Sequence, residues 1–84
     1  MEVLKELIYI IEELFKVPTD VSEKNISTPL LNEPFSLTPE ELLYLFFYLE
    51  KEFNISFGKK DVINYSFLTI EKISNIIIHQ LKVS

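Results

Sequence analysis

The residues from Glu2 to Lys16 alternate between apolar and charged positions with the period of a helix. Apolar residues recur three and four positions apart, while glutamates and lysines occupy the opposite arc. The pattern predicts an amphipathic helix whose inner face consists of Leu4, Leu7, Ile8, Ile11, Leu14 and Phe15. Pro18 disfavours helical geometry at Val17, so we expect the helix to end there.

Residues 17–37 show no such period and are predicted to form a long loop. The stretch holds three prolines among threonine, serine, asparagine and aspartate. Its apolar residues Val21, Ile26, Leu30 and Leu31 indicate that the loop lies across the helices. A connection of this length inside a compact domain is more often functional than accidental.

The second long helix has a start that four local signals define. Thr38 suits the N-cap, Pro39 suits the first helical position, and Glu41 completes a capping box with Thr38. Leu37 and Leu42 form a hydrophobic staple across this start. The helix is expected to continue to about Phe53. Its predicted inner stripe consists of Leu42, Leu45, Phe46, Leu49 and Phe53.

The last third of the chain predicts one short and one long helix. Asp61 can cap a helical turn that ends at Tyr65, and Thr69 can cap the last helix, with Leu68 and Ile73 as its staple. The expected inner face of this helix consists of Ile70, Ile73, Ile76, Ile77 and Leu81. A strand over residues 76–78 has no partner strand in the chain. The predicted fold is all-α, with three main helices and one short helix in a single domain over residues 1–84.

Composition then excludes several kinds of chemistry. The 84 residues include 13 acidic and 8 basic side chains, giving a formal net charge of −5. Without cysteine there is no disulfide framework or thiolate nucleophile, and His79 alone cannot build a multi-histidine metal centre. Gly58 is the only glycine, which argues against a phosphate-cradling loop. The chain has no arginine, so nucleic acid is not an expected partner.

The chain is also not expected to enter a membrane. Its longest uninterrupted apolar run, from Leu42 to Leu49, is eight residues, whereas a membrane span needs about 20. Glu2 and Glu6 stand where a secretory signal would carry basic residues. We therefore expect a cytoplasmic protein.

The same apolar run suggests an interaction surface. If the inner stripe of the second long helix fills the core, then Leu43, Tyr44, Phe47 and Tyr48 point partly outward. Exposed aromatic clusters of this kind mark partner-binding sites. The alternative is that the long loop folds over these residues and buries them.

Most of the acidic side chains are interpreted as structural or solvent-exposed residues and not as parts of a site. Glu40 and Glu41 lie in the first turn of the second long helix, where carboxylates favour the positive end of the helix dipole, and Glu40 adjoins the expected partner surface. The pairs Glu12–Glu13 and Glu50–Glu52 are interpreted as solvated faces. Together, these carboxylates suit a basic docking patch on another protein.

The order of these features resembles the acyl and peptidyl carrier proteins, whose fold is a four-helix bundle with a long first loop. The resemblance spans essentially the whole chain. It is carried by Val17-Pro18, Leu30, Leu45, Leu49, Glu50-Lys51-Glu52-Phe53, Ile55, Phe57 and Phe67-Leu68-Thr69-Ile70.

The resemblance fails at the family's reactive position. Carrier proteins attach phosphopantetheine to a serine, in an Asp-Ser-Leu motif, at the start of the second helix. Ungapped alignment places Thr38 at the aspartate and Pro39 at the serine, and proline has no hydroxyl. Ser36, which precedes Leu37, is the alternative attachment site.

The resemblance is closest to small acyl-carrier-related proteins of peptide maturation systems that lack the attachment serine. It implies a non-catalytic adaptor without a cofactor that binds peptide-modifying or carrier-dependent enzymes. The sequence leaves the oligomeric state open between a monomer and a weak homodimer. The alternative is a working carrier with phosphopantetheine on Ser36. A further alternative is a structural module in which the aromatic residues of the second long helix drive homodimerisation.

Overall fold

The computed structural model describes residues 2–58, 60 and 65–83, and every regular element among them is helical. Within these ranges, four α-helices are bounded at both ends: α1 (Val3–Phe15), α2 (Thr19–Lys24), α3 (Pro39–Phe53) and α4 (Ile70–Val83). A 3₁₀ turn at Tyr65–Phe67 precedes α4. The radius of gyration is 11.7 Å. The predicted all-α class is therefore confirmed for the described part of the chain.

Helix α1 is buried more broadly than the sequence pattern predicted. It packs against both α2 and α4, and these two neighbours widen its covered arc. Val3 and Ile10 join Leu7, Ile8 and Ile11 in the core. Leu4, Leu14 and Phe15 are only partly buried. The helix ends at Phe15, where Lys16 adopts a left-handed conformation and donates its N–H to the carbonyl of Glu12 at 2.9 Å.

Helix α2 corrects the prediction of an uninterrupted loop over residues 17–37. Pro18 occupies its N-cap position, and Asp20 and Lys24 lie at the ends that suit their charges. The Thr19 hydroxyl donates to the Glu12 carboxylate, which ties α2 to α1. Residues 25–38 then connect α2 to α3.

This connection is held to the start of α4 by backbone hydrogen bonds. The Leu30 N–H donates to the Leu68 carbonyl at 2.9 Å, and the Glu71 N–H donates to the Ile26 carbonyl at 3.0 Å. Leu30 is fully buried. The expectation that the connection lies across the helices is confirmed.

Helix α4 begins as predicted. The Thr69 hydroxyl accepts the Lys72 N–H at 3.1 Å, and Leu68 and Ile73 are both buried. Ile70, Ile73 and Ile77 lie in the core, and Ile76 and Leu81 pack against it. The short helix predicted from Asp61 falls largely outside the described residues, of which Tyr65 begins the 3₁₀ turn.

Candidate functional site

The start of helix α3 is set by a reciprocal capping box. The Thr38 hydroxyl accepts the Glu41 N–H at 3.1 Å, and the Glu41 carboxylate accepts the Thr38 N–H at 2.9 Å. Pro39 is the first helical residue, where its missing N–H leaves no bond unmade. The predicted capping box is confirmed, and it fixes the residue at which α3 begins.

Ser36 lies before this cap and outside the helix. Its φ is 48°, in the left-handed region, and its N–H donates to the Asn32 carbonyl at 2.8 Å. The residue is exposed. Its hydroxyl is therefore accessible, but it is displaced from the helix N-terminus.

Helix α3 presents an apolar stripe to the core and a second one to the outside. The predicted inner stripe is buried throughout. Leu43, Tyr44 and Phe47 on the other side are 52%, 55% and 55% exposed. With the exposed residues Glu40 and Lys51 at its two ends, this stripe constitutes the outer face: Glu40, Leu43, Tyr44, Phe47 and Lys51.

Tyr48 differs from the other predicted surface residues. It is only partly exposed and packs against the core. Its position on the helix lies toward the edge of the outer face, and Tyr9 of α1 is near enough for the two side chains to interact electrostatically. Tyr48 therefore borders the outer face and does not lie within it.

An apolar groove of about 340 Å³ runs beside the outer face. Leu43 and Phe47 belong to both, and the remaining lining residues are Pro39, Leu42, Phe46, Glu50, Phe57 and Tyr65. The Phe57 ring lies against the Phe46 ring, with centroids 5.0 Å apart and planes tilted by 37°. The outer face thus includes a concave part that can receive an apolar side chain.

Glu50 holds the far wall of this groove in place. Its carboxylate accepts the Phe57 N–H at 2.9 Å, and the residue is half-buried. The interpretation of Glu50 and Glu52 as a solvated pair is therefore wrong for Glu50. Neither Glu50 nor Phe57 was predicted as a site residue, since only the return of the chain after Asn54 brings them together.

The other acidic pair, Glu12–Glu13, also forms specific contacts. Glu12 accepts the Thr19 hydroxyl. Tyr9 is hydrogen-bonded to Glu13, and this bond, followed by the negative charge of Glu13, raises the pKa of the Tyr9 hydroxyl above its ordinary value of 10.0. Glu13 is exposed, as the solvated-face interpretation predicts, whereas Glu12 is half-buried and bonded to α2. The contacts of the pair link α1 to α2 and position Tyr9.

Within ranges 2–58, 60 and 65–83, histidine, aspartate and glutamate nowhere gather in threes in a way that could hold a metal ion. His79 is exposed near the end of α4. In the described part of the chain, none of the helices combines the length and the apolarity needed to cross a membrane.

No protein-family model, curated protein or solved structure matches the chain. The features of the described residues that bear on function are the outer face, the groove and the capped start of α3. These features suit the binding of another protein, because they combine exposed aromatic side chains with an apolar recess and flanking carboxylates.

Proposed function

We propose that this chain is a non-catalytic, acyl-carrier-related adaptor that docks onto a peptide-modifying or carrier-dependent enzyme. The observation that carries the proposal is the outer face of α3, where Leu43, Tyr44 and Phe47 are each more than half exposed. Monomeric proteins rarely expose neighbouring large apolar side chains unless the patch binds something. Tyrosine and phenylalanine are also enriched where proteins meet.

The order of the helices supports the carrier-like part of the proposal. A long first helix, an extended connection, a second long helix and a closing helix are the elements that the resemblance implies. In carrier proteins, partner enzymes bind the exposed side of the helix that corresponds to α3. The proposal places the chain in the cytoplasm with those enzymes.

Phosphopantetheine does not fit the aligned attachment position. Its attachment requires a side-chain hydroxyl, which Pro39 lacks, and the Thr38 hydroxyl already accepts the Glu41 N–H. Among the described residues, Ser36 offers an exposed hydroxyl close to this cap on its N-terminal side. If the cofactor were attached there, it would extend from an irregular segment and not from the helix N-terminus.

The negative charge around the outer face indicates the charge of the partner's surface. Glu40 and Glu41 are exposed at the N-terminal end of the outer face, and the chain carries a net charge of −5. A complementary enzyme surface would carry lysines or arginines around an apolar side chain that enters the groove. Binding should therefore weaken as the salt concentration rises.

A mass measurement tests the loss of the cofactor. The purified chain is incubated with a phosphopantetheinyl transferase and coenzyme A, and its intact mass is recorded. We expect no change. A gain of one phosphopantetheine that disappears in Ser36→Ala would show a working carrier instead and would refute the proposal.

A binding measurement tests the docking surface. Enzymes encoded beside this chain are purified and titrated with the wild type, Phe47→Ala and Phe67→Ala by calorimetry. Phe67 is the matched control, because it is 64% exposed but lies on the 3₁₀ turn. We expect Phe47→Ala to weaken binding about tenfold or more and Phe67→Ala to leave it unchanged. Equal effects of the two variants would show that the outer face is not the docking site.

A further inference from the structure

The outer face of α3 has the spacing of a helix-pairing seam. Glu40, Tyr44, Phe47 and Lys51 are separated by four, three and four positions, as in the apolar seam of a coiled coil. Both aromatic residues are more than half exposed. The seam lies on one continuous helix, so its geometry is fixed by the capped start and the buried inner stripe.

The two ends of this seam carry opposite charges. Glu40 lies in the first turn of α3 and Lys51 in the last, about 16 Å apart along the helix axis. Both side chains are exposed. Neither forms an ion pair or side-chain hydrogen bond with any other residue that the structure describes.

These positions are symmetric about the point midway between Leu45 and Phe46. If two copies of α3 run antiparallel about a twofold axis at that point, Tyr44 of each copy lies opposite Phe47 of the other. Glu40 of each copy likewise lies opposite Lys51 of the other. A twofold interface repeats every contact, so the arrangement gives two aromatic pairs and two ion pairs. A parallel arrangement would instead bring like charges together at both ends.

We propose that a second copy of this chain covers the outer face, antiparallel to the first, with Glu40 and Lys51 paired at both ends. An aromatic side chain has about 200 Å² of surface and leucine somewhat less, so the exposed parts of Tyr44, Phe47 and Leu43 in two copies amount to about 600 Å². Stable interfaces bury at least about 1,200 Å². The dimer is therefore weak and forms only at high protein concentration.

This dimer has a regulatory consequence, which rests on the proposed function. The second copy and a partner enzyme would compete for the same residues. Because the dimer is weak, self-association would cover the aromatic side chains only where the chain is highly concentrated, and an enzyme that binds more tightly would release a monomer.

The antiparallel pairing is tested by reversing the charges of Glu40 and Lys51 and measuring dimerisation by sedimentation velocity. Wild type, Glu40→Lys, Lys51→Glu and the double exchange are compared at low salt between about 10 µM and about 1 mM. Each single exchange places like charges opposite each other and should weaken dimerisation about tenfold, since two ion pairs are lost. The double exchange should restore it. An equimolar mixture of the two single variants should form a heterodimer.

Matched controls separate this effect from net charge. Glu52→Lys makes the same change on another side of α3, and Lys82→Glu does so on α4. Both residues are exposed. Neither control should alter dimerisation. Circular dichroism confirms that each variant remains helical.

A measurement on the unaltered chain supplements the variants. Amide chemical shifts are recorded on dilution, and we expect concentration-dependent changes centred on residues 40–51. A wild type that remains monomeric at about 1 mM, or dimerisation that the single charge exchanges leave intact, would overturn the proposal. Because these samples contain only this chain, such a failure leaves enzyme docking to be judged by its own calorimetric test.

Discussion

Two adjacent phenylalanines of α3 provide a sharp test of how this helix is oriented. Phe46 is 6% exposed and belongs to the inner stripe, whereas Phe47 is 55% exposed and belongs to the outer face. Replacing each in turn by alanine removes the same atoms from the same helix. The two changes also alter helix propensity equally, so their difference in cost reports burial alone.

The expected difference follows from the buried area. The exposed fractions differ by about half of a side chain of roughly 200 Å², or about 100 Å². At about 25 cal/mol per Å², this area corresponds to about 2.5 kcal/mol. Phe46→Ala should cost about 3–5 kcal/mol, and Phe47→Ala about 1–2 kcal/mol. A chain of this size has a total stability of about 4–12 kcal/mol.

Urea unfolding followed by circular dichroism at 222 nm measures both costs. With a slope of about 1 kcal/mol per molar urea, the unfolding midpoints of the two variants should lie about 2.5 M apart. The slopes should agree with that of the wild type, since a change in slope would indicate an altered denatured state or loss of two-state behaviour.

Equal costs would refute this reasoning. If Phe47→Ala destabilised the chain as much as Phe46→Ala, another part of the molecule would have to cover the outer face in solution. That was the alternative in which the long connection folds over the second long helix. The docking surface would then be core, and both proposals built on it would fail.

Other contacts give three further predictions. Leu30→Ala should lower the free energy of unfolding by about 2–5 kcal/mol, because Leu30 is fully buried. Leu31 is only partly buried, so Leu31→Ala should lower the free energy of unfolding clearly less in the same urea experiment. Equal losses in the two variants would contradict the burial of Leu30 in the core. Ser22 is fully buried, and within the described residues its hydroxyl has no hydrogen-bond partner. Ser22→Ala should therefore leave the free energy of unfolding unchanged or raise it by up to about 1 kcal/mol. A lower urea midpoint in this variant would show that the hydroxyl is paired. Glu13→Gln should lower the pKa of Tyr9 toward 10.0, as followed by NMR titration of the ring, because a bond to the Glu13 carboxylate raises it. The stability that this bond contributes is present below about pH 10 and is lost as the pH rises through the raised pKa of Tyr9. An unchanged Tyr9 pKa in Glu13→Gln would refute Glu13 as the cause of the shift.

The features predicted correctly from sequence depend on residues close together in the chain. The α3 capping box joins Thr38 to Glu41, and the α4 cap joins Thr69 to Lys72. Such interactions need no tertiary context. The inner stripe of α3 was equally predictable, because a helix of 15 residues repeats its apolar period several times.

Helix α2 was not predictable from such local signals. Its six residues span less than two turns, and Ser22 is its only buried residue. Isolated helices of that length are unstable in water. Packing against α1, together with the bond from Thr19 to Glu12, supplies the stability that the local sequence lacks.

The groove forms because the chain after α3 folds back against this helix, and the apolar period of the sequence does not predict that fold-back. Asn54 ends α3 in a left-handed conformation with φ of 54°, and Phe57 then comes back against Phe46. The sequence does contain a signal for this return: an asparagine that can end a helix, followed by apolar residues at alternate positions, Ile55 and Phe57. The direction of the return follows from the tertiary packing.

The backbone bonds between the connection and the start of α4 have a consequence for synthesis on the ribosome. The amides of Leu30 and Glu71 each bond to a carbonyl from a distant part of the chain. These two bonds therefore cannot form until the residues around Leu68 have left the exit tunnel. Until then the part of the core that α4 supplies is missing, so Phe46 and Phe47 would both be open to a chaperone. Once α4 emerges, the chain closes in one cooperative step, and only one of these two phenylalanines stays accessible.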